Sequence, residues 1–338
     1  MKLPLRILLA LTLACAAAWC AAALHYGPAH ASVAAVAMAM VGAAAVLSAF
    51  VLRLRRIALP VFAMAVAAWC LWWSTITPSN DRNWAPEVAI LPSATFDGDL
   101  VTIHNIRNFQ YRTETDFTPR YYDKTYNLDD LDESDVLASY WMGDAIAHIF
   151  VSFGFAGRDY LSISIETRKE ATESYSTITG FFRNFELYYV VADERDLVGV
   201  RTNHRADPPE QVYLYRTNAP PQNIRRVFLD YLKTINDLHD HPRWYNTLTT
   251  NCTTSILPHV GMNPGVHSLS WKVLASGYAP EYVYDIGRLD QSMPFPELKK
   301  RSLVNSAAQA AGDEAPDFSQ RIRAGLPDPR GAVAPVAR

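Results

Sequence analysis

His148-Ile-Phe-Val-Ser-Phe-Gly-Phe155-Ala-Gly157-Arg-Asp159-Tyr-Leu-Ser-Ile-Ser164-Ile-Glu166 reads as two strands joined by a short turn. Phe155-Ala-Gly157-Arg-Asp159 is a three-residue connection with glycine at its centre, where a left-handed backbone is needed. Alternation puts His148, Phe150 and Ser152 on one strand face and Ile149, Val151 and Phe153 on the other. Pairing symmetric about Gly157 sets residue 148 opposite residue 166, and directly opposed residues share a face. Glu166 is therefore expected beside His148, with Ser164 on the same face as the other polar neighbour. A one-residue slip would carry Glu166 to the opposite side. The same pattern also fits a plain cross-strand polar pair with a structural histidine.

Further strands are expected from the alternating runs Val101–Arg107, Phe185–Val191 and Val212–Tyr215. Residues 111 to 135 are polar and aromatic, and their acidic run Asp129-Asp130-Leu131-Asp132-Glu133 reads as a solvated loop rather than a metal site. Pro220-Pro221 opens the strongest helix, since the missing N–H costs nothing in the first turn. Its apolar face is Ile224, Val227, Phe228, Tyr231, Leu232, Ile235 and Leu238. Strands come first and helices after, an α+β order.

Three apolar runs precede this domain, at residues 5–24, 31–52 and 57–76, each near the length that crosses a bilayer. Lys2 and Arg6, then Arg53, Arg55 and Arg56, put the N-terminus and the second connection in the cytoplasm. Three crossings would export the remainder of a multi-pass inner-membrane protein. A cleaved signal peptide is the rival reading of the first run. The expected organisation is a three-helix anchor over 1–78, a periplasmic domain over 80–303 and a disordered Ala/Pro/Gly/Asp tail over 304–338. The net charge of −3, with no basic block, gives no sign of nucleic-acid binding.

Cys15, Cys20 and Cys70 lie in the apolar runs, so Cys252 is the domain's one cysteine. An unpaired thiol in an oxidising compartment is a liability unless its chemistry is used, or it packs as a small hydrophobe. Asn251 is a favoured helix N-cap, which would set the Cys252 sulfur at the positive end of a helix and lower its pKa. His148 is the candidate base and Glu166 its orienting partner, with Ser164 in reserve. His204, His259 and His267 read as loop residues. His239 and His241 suit a helix end better than a metal site. No metal or cofactor is assigned.

Several segments together resemble a known family. They are Asn105-Ile-Arg107-Asn-Phe, Ala147-His148, Ser164-Ile-Glu166-Thr-Arg168, Phe182-Arg183-Asn-Phe-Glu186-Leu, Asp193-Glu194-Arg195-Asp196 and Tyr245-Asn246-Thr-Leu-Thr-Thr-Asn251-Cys252-Thr. The set is similar to the Lnb-type periplasmic domain of bacterial lipoprotein N-acyltransferases, within the circularly permuted NlpC-type, papain-like superfamily. The chain differs from that family in placing its apolar runs before the domain.

The resemblance implies a papain-like fold and a Cys-His acyltransferase or hydrolase acting on a phospholipid or lipoprotein. It places Arg168, Arg183, Tyr245 and Asn251 at the substrate. The arginines could hold a phosphate headgroup or serve as structural ion pairs. The same constellation also supports an NlpC-type cell-wall peptidase or amidase, or a non-catalytic envelope scaffold. The oligomeric state is open.

Overall fold

The computed structural model describes residues 2–263 and 270–330. His267 falls outside them. Two compact units emerge, the first from residues 1–82, 172–186 and 243–247, the second from 83–171, 187–242 and the chain from 248 onward.

The first unit contains helices α1 (Leu3–Tyr26), α2 (Ser32–Ser48) and α3 (Arg55–Thr75). They meet through Ala17, Cys20, Met38, Ala45 and Phe62. A side chain at Gly42 would collide with Ala17, so this close helix approach requires glycine. By length and composition, Leu3–Tyr26 and Leu52–Thr75 can each cross a membrane, whereas Ser32–Ser48 is a shorter apolar helix. The second expected run is thus cut short. Arg55 Nε donates to Ser48 O at 3.0 Å, satisfying a carbonyl at the end of α2 while α3 begins.

The second unit holds most of the strands: β1 (Ser93–Asp97), β2 (Leu100–Arg107), the short pair β3 (Gln110–Tyr111) and β4 (Phe117–Thr118), β5 (Tyr121–Asn127), β6 (Leu131–Tyr140), β7 (His148–Phe155) and β8 (Asp159–Arg168). Then come β9 (Glu186–Asp193), α4 (Glu194–Gly199), a π-helical turn over Val200–His204, β10 (Gln211–Arg216) and α5 (Pro221–Asp240). The C-terminal part adds α6 (Ile256–Gly261), α7 (Trp271–Leu274), α8 (Ala279–Asp285), α9 (Phe295–Arg301), α10 (Asn305–Ala311) and α11 (Phe318–Arg323). The main sheet runs β1-β2-β9-β8-β7-β6-β10, with β5 also on β2. Most pairings are antiparallel, but β2 and β9 are parallel, so the class is α+β with a mixed sheet.

Side-chain alternation on β7 sends its two faces into different layers. Phe150 packs with Val190, Val304, Phe318 and Ile322, under α10 and α11. On the opposite face Ile149 packs with Ala279, Leu289 and Leu298, and Phe153 meets Phe228 of α5 at 5.0 Å between ring centroids. All seven expected apolar residues of α5 are buried.

One expectation fails here. The chain from 304 is not a disordered tail over the described residues, because α10 and α11 bury Ala308, Phe318 and Ile322 against the sheet. Few large residues suffice when each one is wholly covered. The acidic run lies where β5 gives way to β6, with Asp129, Asp130 and Asp132 exposed. Asp135 of β6 is buried against Arg323 at 2.7 Å, and the same guanidinium reaches Glu194 at 2.7 Å. Ser152 donates to Glu194, completing the chain of partners. A carboxylate whose partner lies far along the sequence looks like a surface charge when only its neighbours are read.

Candidate functional site

β7 and β8 pair as the turn chemistry dictates. Phe155 faces Asp159 and Phe150 faces Ser164, the register symmetric about residue 157. Ala156 and Gly157 both adopt positive φ, 51° and 64°, and Arg158 N–H closes the turn on Phe155 O at 3.1 Å. Continued beyond the last ladder pair, this register puts His148 and Glu166 on one face.

His148 Nε2 lies 2.6 Å from Ser164 Oγ, and Ser164 Oγ lies 2.8 Å from Glu166 Oε1. The direct separation between Nε2 and Glu166 Oε1 is 3.5 Å, so Ser164 stands between base and carboxylate. Burial alone would raise the Glu166 pKa. The hydrogen bond from His148 and the nearby Arg201 charge reverse this and hold it well below the usual carboxylate range. An ionised Glu166 only accepts, so it takes the single hydroxyl proton of Ser164. Ser164 Oγ is then an acceptor for Nε2–H, and the free imidazole carries its proton on Nε2.

Cys252 Sγ lies 3.7 Å from Thr253 Oγ1, and Cys252 and His148 are electrostatically coupled, each shifting the other's pKa. Burial acts to raise the thiol pKa, but the His148 hydrogen bond and charge, with the Ile149 N–H, bring it below its ordinary value. For His148 burial pulls downward, while hydrogen bonds to Cys252 and Glu166 overcome it and lift the pKa to about 9. Both shifts favour the thiolate–imidazolium form over the neutral pair.

The thiol owes less to a helix end than the residue pattern predicts. α6 begins at Ile256 and is only six residues long, so Cys252 sits in the turn before it. Asn251 nevertheless organises that turn, because its Oδ1 accepts from Thr253 N–H at 2.9 Å and Thr254 N–H at 2.8 Å.

The other expected substrate contacts disperse. Arg168 is buried, donating to Val88 O at 3.0 Å and Ala89 O at 2.8 Å, with Trp84 beneath its guanidinium. Those carbonyls use the donors a headgroup would need. Arg183 belongs to the first unit, where it donates to Trp73 O at 2.7 Å and caps the end of α3. Tyr245 is also in the first unit, buried, with its N–H on Phe185 O at 2.9 Å. Asn251 adjoins the thiol along the chain.

Arg201 is the residue that sequence reasoning missed. It is buried on the π-helical turn, a rare feature often found at functional sites. Its Nη1 bonds Leu197 O at 2.8 Å and its Nη2 bonds Glu166 Oε1 at 3.0 Å. The segment Asp193–Asp196 that precedes it is anchored by Asp196, which takes Arg107 at 2.7 Å and Phe109 N–H at 2.8 Å. His259 is likewise no loop residue, being buried on α6 between Asp230 at 2.7 Å and Tyr189 at 2.9 Å. Among the described residues no group of three or more His, Cys, Asp or Glu could hold a metal ion.

No curated protein and no solved structure shows significant similarity to this chain. The family model of the Lnb N-terminal periplasmic domain matches residues 117–277, which include His148, Ser164, Glu166, Arg201 and Cys252. This stretch of the chain therefore belongs to the Lnb N-terminal periplasmic domain family.

Proposed function

We propose that the chain is a multi-pass inner-membrane enzyme whose periplasmic domain transfers or hydrolyses acyl groups through Cys252. The observation that carries this reading is the hydrogen-bonded chain His148, Ser164, Glu166 and Arg201, with Cys252 electrostatically coupled to its histidine. A structural histidine needs one or two hydrogen bonds, whereas this one lies between a thiol of lowered pKa and a fixed carboxylate. The order of base strand, partner strand and later cysteine turn supports a permuted papain-like arrangement. The arginines at 53, 55 and 56 support three crossings by α1, α2 and α3.

In the first half-reaction the thiolate forms a bond to an ester carbonyl carbon. As the C–O bond breaks, the leaving oxygen takes the His148 proton. In the second, an amine or water gives its proton to His148 and its electron pair to the acyl carbon, and the C–S bond breaks. The thiolate–imidazolium pair is restored. Ser164 and Glu166 keep the ring oriented throughout. A membrane anchor favours a lipid-linked donor, a phospholipid or a lipoprotein.

Alkylation of Cys252 in the purified full-length chain, followed against pH, tests the pairing. A lowered thiol pKa predicts reactivity that persists below the ordinary thiol range near pH 8.5. Acyl turnover should fall as pH rises through about 9, where His148 loses the proton it must donate. A His148→Ala variant alkylated at the wild-type rate near pH 7 would contradict the mechanism. An inert Cys252 in the wild type would favour a scaffold, and cleavage of cell-wall peptides but not acyl esters would favour a peptidase or amidase.

A further inference from the structure

Behind His148, the other face of β7 borders an empty space. Ile149, Val151 and Phe153 form one wall of a cavity of about 170 Å³, and Ile224, Val227 and Ile256 close it from α5 and α6. The lining is almost wholly apolar. Cavities of this size and character stay dry and accept small hydrocarbons.

Its position relative to the thiol is specific. Ile149, the residue after His148, contributes its side chain to the cavity. Thr253, the residue after the cysteine, lines the same cavity. The void therefore begins one residue from the reacting pair on both segments.

Exposed apolar side chains occur on the loops before β7 and around α7: Met142, Ile146, Trp271 and Leu274. Gly277 N–H to Ala145 O at 3.1 Å and Ala147 N–H to Ser276 Oγ at 3.0 Å tie those loops together. Apolar residues outside the cavity, together with an apolar interior, suit a hydrocarbon chain. A peptide or sugar would lose its hydration there without compensation.

We propose that this cavity receives the hydrocarbon chain of the acyl group whose carbonyl Cys252 attacks, and so gauges its length. The inference rests on the thiol-acylation reading above. The full-length chain is assayed in micelles with nitrophenyl esters of two to eight carbons, reading the nitrophenolate released on acylation. Each added methylene should speed wild-type acylation roughly 3- to 4-fold until the cavity is full, as expected for burial of one CH₂. Val151→Trp, and separately Val227→Trp on the facing wall, should flatten this dependence. Both should keep the wild-type rate with the acetyl ester, which reports that the site is folded. A flat wild-type series, or an unchanged slope in both variants, overturns the proposal while leaving the nucleophile intact.

Binding separates the two readings. In the full-length Cys252→Ala chain, terminally fluorinated octanoate observed by fluorine NMR should bind, and Val151→Trp should remove that binding. Absence of binding in the parent overturns the cavity assignment even where esters react. Binding without acylation of the wild type upholds the cavity and refutes the thiol mechanism. Supplying chains as a diacyl phospholipid or as a diacylated lipopeptide, with mass spectrometry of Cys252, identifies the source; a chain transferred equally well to the Val151→Trp variant counts against the proposal.

Discussion

The two faces of β7 solve opposite problems only one residue apart. On the His148 side polar groups are joined in a hydrogen-bonded network, and three of its residues are charged: Glu166, Arg201 and His148 itself. On the Ile149 side there are few polar groups and an unfilled volume. A charge network tolerates no gaps, because a buried ion without its partner is expensive. An apolar surface tolerates a void at the modest cost of lost dispersion contacts. The proposed chemistry thus uses the first face, and the proposed substrate space the second.

Glu166→Gln attacks the comparison at its most sensitive point. It removes the charge that fixes both Ser164 and His148, and acyl turnover should fall by about 10²- to 10⁴-fold in a folded protein. Turnover within a factor of three of wild type would mean that the carboxylate only pairs with Arg201. Arg323→Met tests the same face at its structural end. Asp135 and Glu194 would both be left buried without their cation, so stability should drop by about 3–5 kcal/mol, measured by denaturant unfolding. An unchanged midpoint would show that the buried network is not a cooperative part of the fold.

Ser164→Ala should have a smaller effect. Glu166 remains 3.5 Å from Nε2 and can approach, so a 10- to 100-fold loss in turnover is expected. A loss as large as that of Glu166→Gln would make the serine indispensable for setting the tautomer. The smallest effect belongs to the apolar face. Val151→Ile adds one methylene toward the cavity and should raise stability by about 0.5–1 kcal/mol in thermal unfolding. Destabilisation of similar size would mean that the wall is already tightly packed there.

The legible parts of the site were those governed by short-range rules. Gly157 and the alternation of residues 148 to 166 predict the hairpin, its register and the shared face of His148, Ser164 and Glu166. Period and proline placement likewise predict α5 residue by residue. The order of Glu166 and Ser164 was not legible, because both share a face and 2.6 Å against 3.5 Å depends on side-chain reach. Nor did anything near Arg201 in the chain mark it, since the residues that select it, Glu166 and Phe150, lie on β8 and β7.

Taken alone, the amino-acid sequence determined the apolar N-terminal helices, the strands β2, β7, β8, β9 and β10 with α5, and the isolation of Cys252 in the polar domain. All of these follow from hydrophobic period, turn residues and composition, which act within a few positions of the chain. Only the tertiary structure decided which charges would meet. It sent Arg168 to backbone carbonyls, Arg183 to the end of α3, Arg201 to Glu166 and Arg323 to Asp135. The physical reason is that a guanidinium binds whichever acceptor the fold brings within about 3 Å. Which acceptor that is depends on the packing of α4, α10 and α11 against the sheet, which no local pattern encodes.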